Sequence, residues 1–190
     1  MDDQALLSHL ARDLDASFVA LVRAHQDRVY SICLRLLGNT ADAEEIAQDT
    51  FIRAYRALGT YSEDRIRALQ MRGWLATIAI RRCRSAGARR RAPTVPLDIG
   101  HPALPTAPAA ETPHLHVVGQ ESKRRWASLL AGLPDRYRTA LVLRHVDDLS
   151  YAEIAEVLGK PEGTVKAQVH RGLALLRAAH EAAEREESIA

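Results

Sequence analysis

Apolar residues recur at three- and four-residue spacing along much of the chain, which is the period of an amphipathic α-helix. One such pattern covers residues 18–37, and Gly38 follows it as a helix-ending signal. A second helix is predicted over residues 40–58, with most of its charged residues off the apolar face. A third begins near residue 69 and continues into a run of arginines. Since no strand pattern competes, the first half is predicted to be all-α.

Residues 92–120 interrupt this periodicity. They hold six of the eight prolines, no Lys or Arg, and neither a helical nor an alternating pattern, which is typical of a flexible linker. The linker divides the chain into domains of residues 1–91 and 121–190, so the predicted fold class is all-α, with two small helical domains. The linker also contains His101, His114 and His116. These histidines have no neighbouring cysteine or paired carboxylates with which to bind a metal.

The second half carries a sharp corner between two predicted helices. Ser150 and Glu153 have the spacing of a capping box, which starts a short helix. Gly159 stands where a left-handed residue ends that helix, and Pro161 suits the first position of the next one. A short helix, a three-residue turn and a longer helix match the helix-turn-helix unit.

The helix after Pro161 separates its residues into two faces at 100° per residue. Val165 and Val169 lie on one side, together with Gly172 and Leu176, and are expected to pack. The opposite side is expected to contact base edges and phosphates in a major groove, and it carries Thr164, Lys166, Ala167, His170 and Arg171. The alternative is a helical hairpin whose polar face only meets solvent.

Charge is unevenly distributed although the net formal charge is only +2. Residues 81–91 contain six arginines and no acidic residue, whereas residues 181–187 contain four glutamates and one arginine. The arginine run is either a solvated basic tip or a surface for a polyanion. Tyr61 and Trp74 nearby could stack on unpaired bases, although both aromatics also suit a core. The candidate DNA contacts in the run are Arg81, Arg82, Arg84, Arg89 and Arg90.

Composition narrows the classes of function further. The chain has no apolar run as long as a membrane helix and no signal-peptide layout, so a cytoplasmic protein without membrane insertion is expected. Cys33 and Cys83 match no metal-ligand spacing and are expected to pack. An enzyme built around His25, Cys33 or the linker histidines would need a nucleophile, a base and an orienting group. No such set is found, so no catalytic residue, metal or cofactor is predicted.

Three segments and the linker together resemble a bacterial RNA polymerase sigma factor of the sigma-70 family, extracytoplasmic-function (ECF) group. They are DAEEIAQDTFIRAYRAL at 42–58, WLATIAIRR at 74–82 and LSYAEIAEVLGKPEGTVKAQVHRGLALL at 149–176. The resemblance covers about residues 15–180. It implies two domains, called sigma regions 2 and 4, that bind core RNA polymerase, recognise the −10 and −35 promoter elements and assist strand opening.

The resemblance also implies roles for individual residues. Glu45, Gln48 and Asp49 fall where the family docks on the β′ clamp helices of polymerase. Tyr61, Trp74 and the arginine run fall at the −10 element, and the polar face of the second helix of the corner falls at the −35 element. Tyr137 and Leu141 lie near the site for the β flap, although both also suit a core. An anti-sigma factor is implied as a further partner, and the chain is expected to be a monomer when free of polymerase.

Two features depart from the family pattern. Arg81 and Ser85 stand where the family commonly has Asn and Asp, and residues 62–73 form a longer spacer before Trp74 than is usual. Both lie in the part expected to select −10 bases. The alternative function is a stand-alone helix-turn-helix regulator that binds duplex DNA without polymerase.

Overall fold

A computed structural model describes the backbone of residues 3–91 and 117–189, and the side chains of residues 3–87 and 125–185. Within these ranges the regular structure consists of α-helices and contains no strand, which confirms the all-α prediction. None of the helices in the described part is long and apolar enough to cross a membrane.

Five helices form the N-terminal half: α1 (Asp3–Arg12), α2 (Leu14–Leu37), α3 (Thr40–Leu58), α4 (Glu63–Arg67) and α5 (Met71–Arg91). The C-terminal half contains α6 (Val117–Gly132), α7 (Asp135–His145), α8 (Tyr151–Leu158) and α9 (Glu162–Ile189). Helices α2, α3 and α5 correspond to the three predicted ones, whereas α1 and α4 were not predicted. Helix α6 begins within the last four residues of the predicted linker, and the linker histidines lie outside the described residues.

Local capping residues set the turns of the N-terminal half. The Asp13 side chain accepts a hydrogen bond of 3.0 Å from the Ala16 backbone N–H and starts α2 directly after α1. Gly38 ends α2 with φ +72°, a left-handed conformation that costs a glycine little. Asn39 then caps α3 by accepting from the Asp42 N–H at 3.2 Å. A single residue therefore separates α1 from α2, and two separate α2 from α3.

Two apolar cores form, and the second is shared between the halves. The first joins α1 to α5, with α2, α3 and α5 contributing most of its side chains, among them Leu21, Cys33, Ile46, Ala54, Leu58 and Leu75. The second is built mainly from the C-terminal helices by Leu143, Leu149, Ile154, Val165 and Val169. It also contains Ile32 from α2 and Ala76 and Ile80 from α5, each at most 2% exposed. The two predicted domains therefore pack directly against each other.

The corner between α8 and α9 has the predicted local structure. Ser150 accepts from the Glu153 N–H at 3.2 Å, and Glu153 accepts from the Ser150 N–H at 2.7 Å, which completes the capping box. Gly159 is left-handed, with φ +62°. The N–H groups of Gly159 and Lys160 bond to carbonyls in the last turn of α8, in a Schellman arrangement.

Gly159→Ala is expected to lower the free energy of unfolding by about 1 kcal/mol, because a Cβ disfavours the left-handed conformation. Gly163→Ala is the matched control. A Cβ there meets nothing within 4 Å, and the position is helical, so no loss of stability is expected. Urea unfolding of both variants measures the difference. Equal stabilities would contradict the role assigned to Gly159.

Candidate nucleic-acid and polymerase interfaces

Helix α9 has the two faces that its sequence predicts. Val165 and Val169 are 0% and 1% exposed and pack in the shared core. A Cβ on Gly172 would lie 3.0 Å from Leu141 side-chain atoms, so α7 and α9 approach closely there. All five residues predicted to read DNA are exposed: Thr164, Lys166, Ala167, His170 and Arg171. Packing of one face thus fixes which side of α9 is available to a ligand.

Two of the cations on this face have partners in the structure. The Lys166 Nζ lies 2.8 Å from a Glu162 carboxylate oxygen, and this hydrogen bond raises the pKa of Lys166. Arg171 and Arg136 both hydrogen-bond to the Tyr137 side chain. Although desolvation raises the pKa of Tyr137, these bonds lower it overall. Both cations are therefore held by neighbouring side chains at the surface of the corner.

An aromatic pair lies at the start of α5. Tyr61 and Trp74 meet edge-to-face with ring centroids 6.1 Å apart, and both are partly buried against the first core. The Arg65 guanidinium lies 3.7 Å from the Tyr61 ring centroid. The structure thus brings together the two predicted aromatics and adds Arg65, which the sequence analysis did not single out although it stands four residues after Tyr61.

The arginine run divides into free and paired side chains. Arg81 and Arg84 are exposed. Arg82 forms an ion pair with Asp49 of α3, which also pairs with Arg53 at 2.9 Å. Partial burial raises the pKa of Asp49, but hydrogen bonds from Arg53 and Arg82 lower it overall. Arg89 and Arg90 lie on α5, with side chains outside the described residues.

The predicted polymerase-binding residues line an exposed side of α3. Glu45 and Gln48 point to solvent, whereas Asp49 is engaged by the two arginines. Gln48 borders an open groove of about 370 Å³ between α2 and α3. Its other lining residues combine apolar and polar groups: Val22, Gln26, Asp27, Tyr30, Glu44, Ala47 and Phe51. The Asp49–Arg82 ion pair therefore joins a residue predicted to contact polymerase to a residue predicted to contact DNA.

A second groove, of about 180 Å³, lies among α6, α7 and α9. Its lining is almost wholly apolar and comprises Trp126, Leu130, Leu141, Val142, His145, Val146, Leu173 and Leu176. Trp126 is 41% exposed and meets the His180 ring edge-to-face at 4.6 Å. Tyr137 is mainly a core residue, at 8% exposed. An exposed tryptophan beside an apolar groove is the kind of surface that a partner helix covers.

Of the residues considered for an enzyme, the structure describes His25 and Cys33, whereas the linker histidines lie outside the described residues. His25 is buried, with its Nε2 3.9 Å from a carboxylate oxygen of Asp3, and desolvation lowers its pKa. Cys33 and Cys83 are both buried, and their mutual hydrogen bond, together with burial, raises the pKa of Cys33. Among the described residues, no group of three or more His, Cys, Asp or Glu is placed to hold a metal ion.

A charged contact between the two halves was not anticipated from the sequence. Asp147, in the turn before α8, is 1% exposed. Its carboxylate accepts from Arg28 of α2, and its backbone carbonyl accepts from Arg28 and, at 2.9 Å, from Arg72 of α5. A Cβ on Gly73 would lie 3.4 Å from Val157 of α8. Helix α8 and the turn before it therefore pack against the residues next to Trp74.

Comparison with known proteins supplies the family context for these surfaces. Residues 21–92 match the family model described as Sigma-70 region 2, and residues 123–176 match the one described as Sigma-70, region 4. The ECF RNA polymerase sigma factor SigW of Bacillus subtilis is 36% identical over 172 residues, which are 87% of this chain and 89% of SigW.

Solved structures show the same arrangement of helices. CnrH, in complex with the cytosolic domain of CnrY, superimposes with a TM-score of 0.69 at 25% identity over 95% of this chain and 97% of CnrH. The sigma factor RpoE of Bartonella quintana, solved with the anti-sigma factor NepR, gives a TM-score of 0.64 at 19% identity over 86% of this chain and 96% of RpoE. The latter likeness concerns the fold alone.

Asp49→Asn is expected to lower the free energy of unfolding by about 1 kcal/mol at neutral pH, because the carboxylate is hydrogen-bonded by two arginines. Since the pKa of Asp49 is lowered in the folded protein, this contribution exists above the unfolded pKa of about 4 and disappears as the pH falls through the folded value.

The control is Asp64→Asn, whose side chain is 99% exposed and for which almost no change is expected. Denaturant unfolding of both variants between pH 7 and pH 3 provides the measurement. A difference for Asp49→Asn that did not shrink as the pH was lowered would show that its effect is not electrostatic.

Proposed function

Because the chain belongs to the ECF group of the sigma-70 family of RNA polymerase sigma factors, we propose that it binds core polymerase and directs initiation at promoters through their −35 and −10 elements. In this proposal α9 recognises the −35 element in the major groove. The surface around Trp74 captures the −10 element and assists strand opening. The two surfaces lie in different halves of the chain, so each contributes part of the promoter specificity.

The observation that carries the proposal is the arrangement of α9. Its packing face is buried by Val165 and Val169, and its N-terminal turns expose a contiguous set of polar and small side chains. In helix-turn-helix proteins these turns enter the major groove, where Lys and Arg contact guanine edges or phosphates. Glu162 holds Lys166 in free solution. We therefore expect binding to exchange this exposed ion pair for a contact with DNA.

The proposed −10 surface combines stacking and positive charge. Tyr61, Trp74 and Arg65 provide ring and guanidinium faces on which unpaired bases could stack, and exposed Arg81 and Arg84 provide charges for phosphates. Stacking on captured bases would offset the few kcal/mol that unstacking costs. Since Arg81 and Ser85 replace residues common in the family, we infer that this chain has its own −10 base preference.

Polymerase docking is proposed at both halves. The exposed Glu45 of α3 and Gln48, which borders the groove of α2 and α3, suit the β′ clamp helices, because clustered acidic and polar groups complement a basic surface. The apolar groove at Trp126 suits the β flap. An anti-sigma factor is proposed as a further partner, supported by CnrH, which was solved with the cytosolic domain of CnrY.

Transcription from a promoter library with core polymerase, with and without this protein, tests the proposal. Promoter-specific initiation that depends on the protein is expected. Tight, sequence-specific binding of duplex DNA by the protein alone, without any effect on initiation, would instead establish a stand-alone regulator.

Replacing Lys166 and Arg171 together with alanine is expected to reduce initiation from a responsive promoter by roughly tenfold or more, since each base contact is worth about 1–3 kcal/mol. On a promoter whose −35 element has been scrambled, the variant and the wild type should be equally weak. Arg177→Ala, an exposed arginine further along α9, is the control and should leave initiation unchanged. An equal loss on both promoters would contradict −35 recognition by this face.

Glu45→Lys is expected to weaken binding to core polymerase by roughly tenfold at low salt, because it reverses a charge that faces a basic surface. The loss should shrink as ionic strength rises and screens the charges. Glu63→Lys on α4, 63% exposed and away from α3, is the matched charge reversal. Titration of labelled protein with core polymerase gives both affinities. Equal affinities for the two variants would place the docking surface elsewhere.

A further inference from the structure

We propose that Cys33 and Cys83 form a thiol oxidation site, at which hydrogen peroxide or another hydroperoxide produces a reversible disulfide between α2 and α5. The sequence contains no other cysteine, so an intramolecular disulfide in this chain can only join these two. The oxidation site itself is independent of the proposed function. Only the effect of the disulfide on initiation rests on that function.

The packing of α2 on α5 brings the two thiols together. Cys33 of α2 is 0% exposed and Cys83 of α5 is 5% exposed, and both lie in the first core. Their side chains share a hydrogen bond. The fold has thus already placed the two sulfur atoms next to each other, so a disulfide needs no large movement of the backbone.

The two thiols differ in a way that suits two consecutive steps. The shared hydrogen bond and burial raise the pKa of Cys33, so this thiol keeps its proton and donates it to the bond. The same bond lowers the pKa of Cys83, and its backbone hydrogen bond and the Arg82 charge lower it further, against the effect of desolvation. Cys83 therefore carries more thiolate, which is the form that reacts with oxidants. It is also the less buried of the two.

The chemistry of the site follows from this difference. The Cys83 thiolate attacks one oxygen of hydrogen peroxide, the O–O bond breaks, and hydroxide leaves, which gives a sulfenic acid on Cys83. The Cys33 sulfur then attacks the sulfenic sulfur, the S–O bond breaks, and water leaves with the proton of Cys33. The two thiols together lose two electrons and two protons, and one peroxide molecule is reduced to two water molecules.

The disulfide would lie beside the arginines of α5. Arg82 directly precedes Cys83 and is paired with Asp49 of α3. The exposed Arg84 directly follows Cys83. Because a covalent bond is shorter than a hydrogen bond between the same sulfurs, closing it draws this turn of α5 toward α2, and close packing passes the shift on to neighbouring side chains. We therefore expect oxidation to move the arginines of the proposed −10 surface and to reduce initiation.

Oxidation of the full-length protein with hydrogen peroxide, followed by alkylation of the remaining thiols and mass spectrometry, tests the site. We expect a monomeric product in which neither cysteine is alkylated and which regains both thiols on reduction. Circular dichroism should show the helical content of the reduced protein. Thiols that stay free while the protein is folded, or that oxidise only in denaturant, would overturn the proposal and leave both cysteines as packing residues.

Single variants test the order of the two steps. Cys33→Ala removes the second thiol, so oxidation should stop at a sulfenic acid on Cys83, which dimedone traps. Cys83→Ala should react with peroxide at least roughly tenfold more slowly, because the remaining thiol is protonated and enclosed. Sulfenic acid that formed equally fast in the two variants would refute the assignment of Cys83 as the attacking thiol.

The contribution of Arg82 is measured in the Cys33→Ala background. Arg82→Ala removes the charge beside Cys83 and is expected to slow formation of the sulfenic acid roughly threefold, since less thiolate is present. Arg53→Ala is the matched control, because it removes the other partner of Asp49 and should leave the rate unchanged. Equal rates in the two variants would overturn the activation of Cys83 by Arg82.

Initiation assays separate this inference from the proposed function. The protein is oxidised and freed of peroxide before core polymerase is added, so that polymerase itself is not oxidised. We expect initiation to fall roughly fivefold on oxidation, since phosphate contacts are displaced, and to recover fully after reduction. Treated Cys83→Ala, which lacks the reactive thiol, should show no loss.

The outcomes of these assays are distinguishable. If the reduced protein does not support initiation, the proposed function fails, while mass spectrometry still decides whether the oxidation site exists. If the oxidised and reduced proteins initiate equally well, the effect of the disulfide on the −10 surface is refuted.

Discussion

The packing of the C-terminal helices on α2 and α5 is the interaction on which the described arrangement depends. It buries Ile32, Ala76 and Ile80 in the same core as Val165 and Val169, so one apolar layer fixes the orientation of α9 and the position of the helix-turn-helix relative to Trp74. Burial of large aliphatic side chains contributes about 1.5–3 kcal/mol each. The buried carboxylate of Asp147, which lies between the halves with Arg28 and Arg72, cannot match that contribution and instead specifies the register in which the two halves meet.

Local signals explain why the helix-turn-helix could be predicted in detail. Ser150, Glu153 and Gly159 act within one or two helical turns, and the two faces of α9 follow from helical period alone. The same holds for α2, whose end at Gly38 was predicted from the sequence. Helix α1 was missed because its apolar residues, Leu6, Leu7 and Leu10, cover only a short stretch between acidic residues, and α4 because five residues are too few to show a period.

Contacts between distant residues could not be predicted in this way. Asp147 and Asp148 look like an ordinary solvated turn, and Asp147 is buried only because Arg28 and Arg72, over 70 positions away, close over it. The pairing of Asp49 with Arg82 is similar: each residue was predicted to serve a different partner, and only the packing of α3 on α5 brings them together. The charge pattern of the sequence predicts which residues lie on a surface. Tertiary packing decides which of them remain available to a partner.

The composition of the two cores shows how far each half of the chain packs on its own. The first core lies wholly within the N-terminal half, and the second retains Leu143, Leu149, Ile154, Val165 and Val169 when Ile32, Ala76 and Ile80 are removed from it. Each half thus supplies most of its own core, and Ile32, Ala76 and Ile80 join the N-terminal helices to the second core.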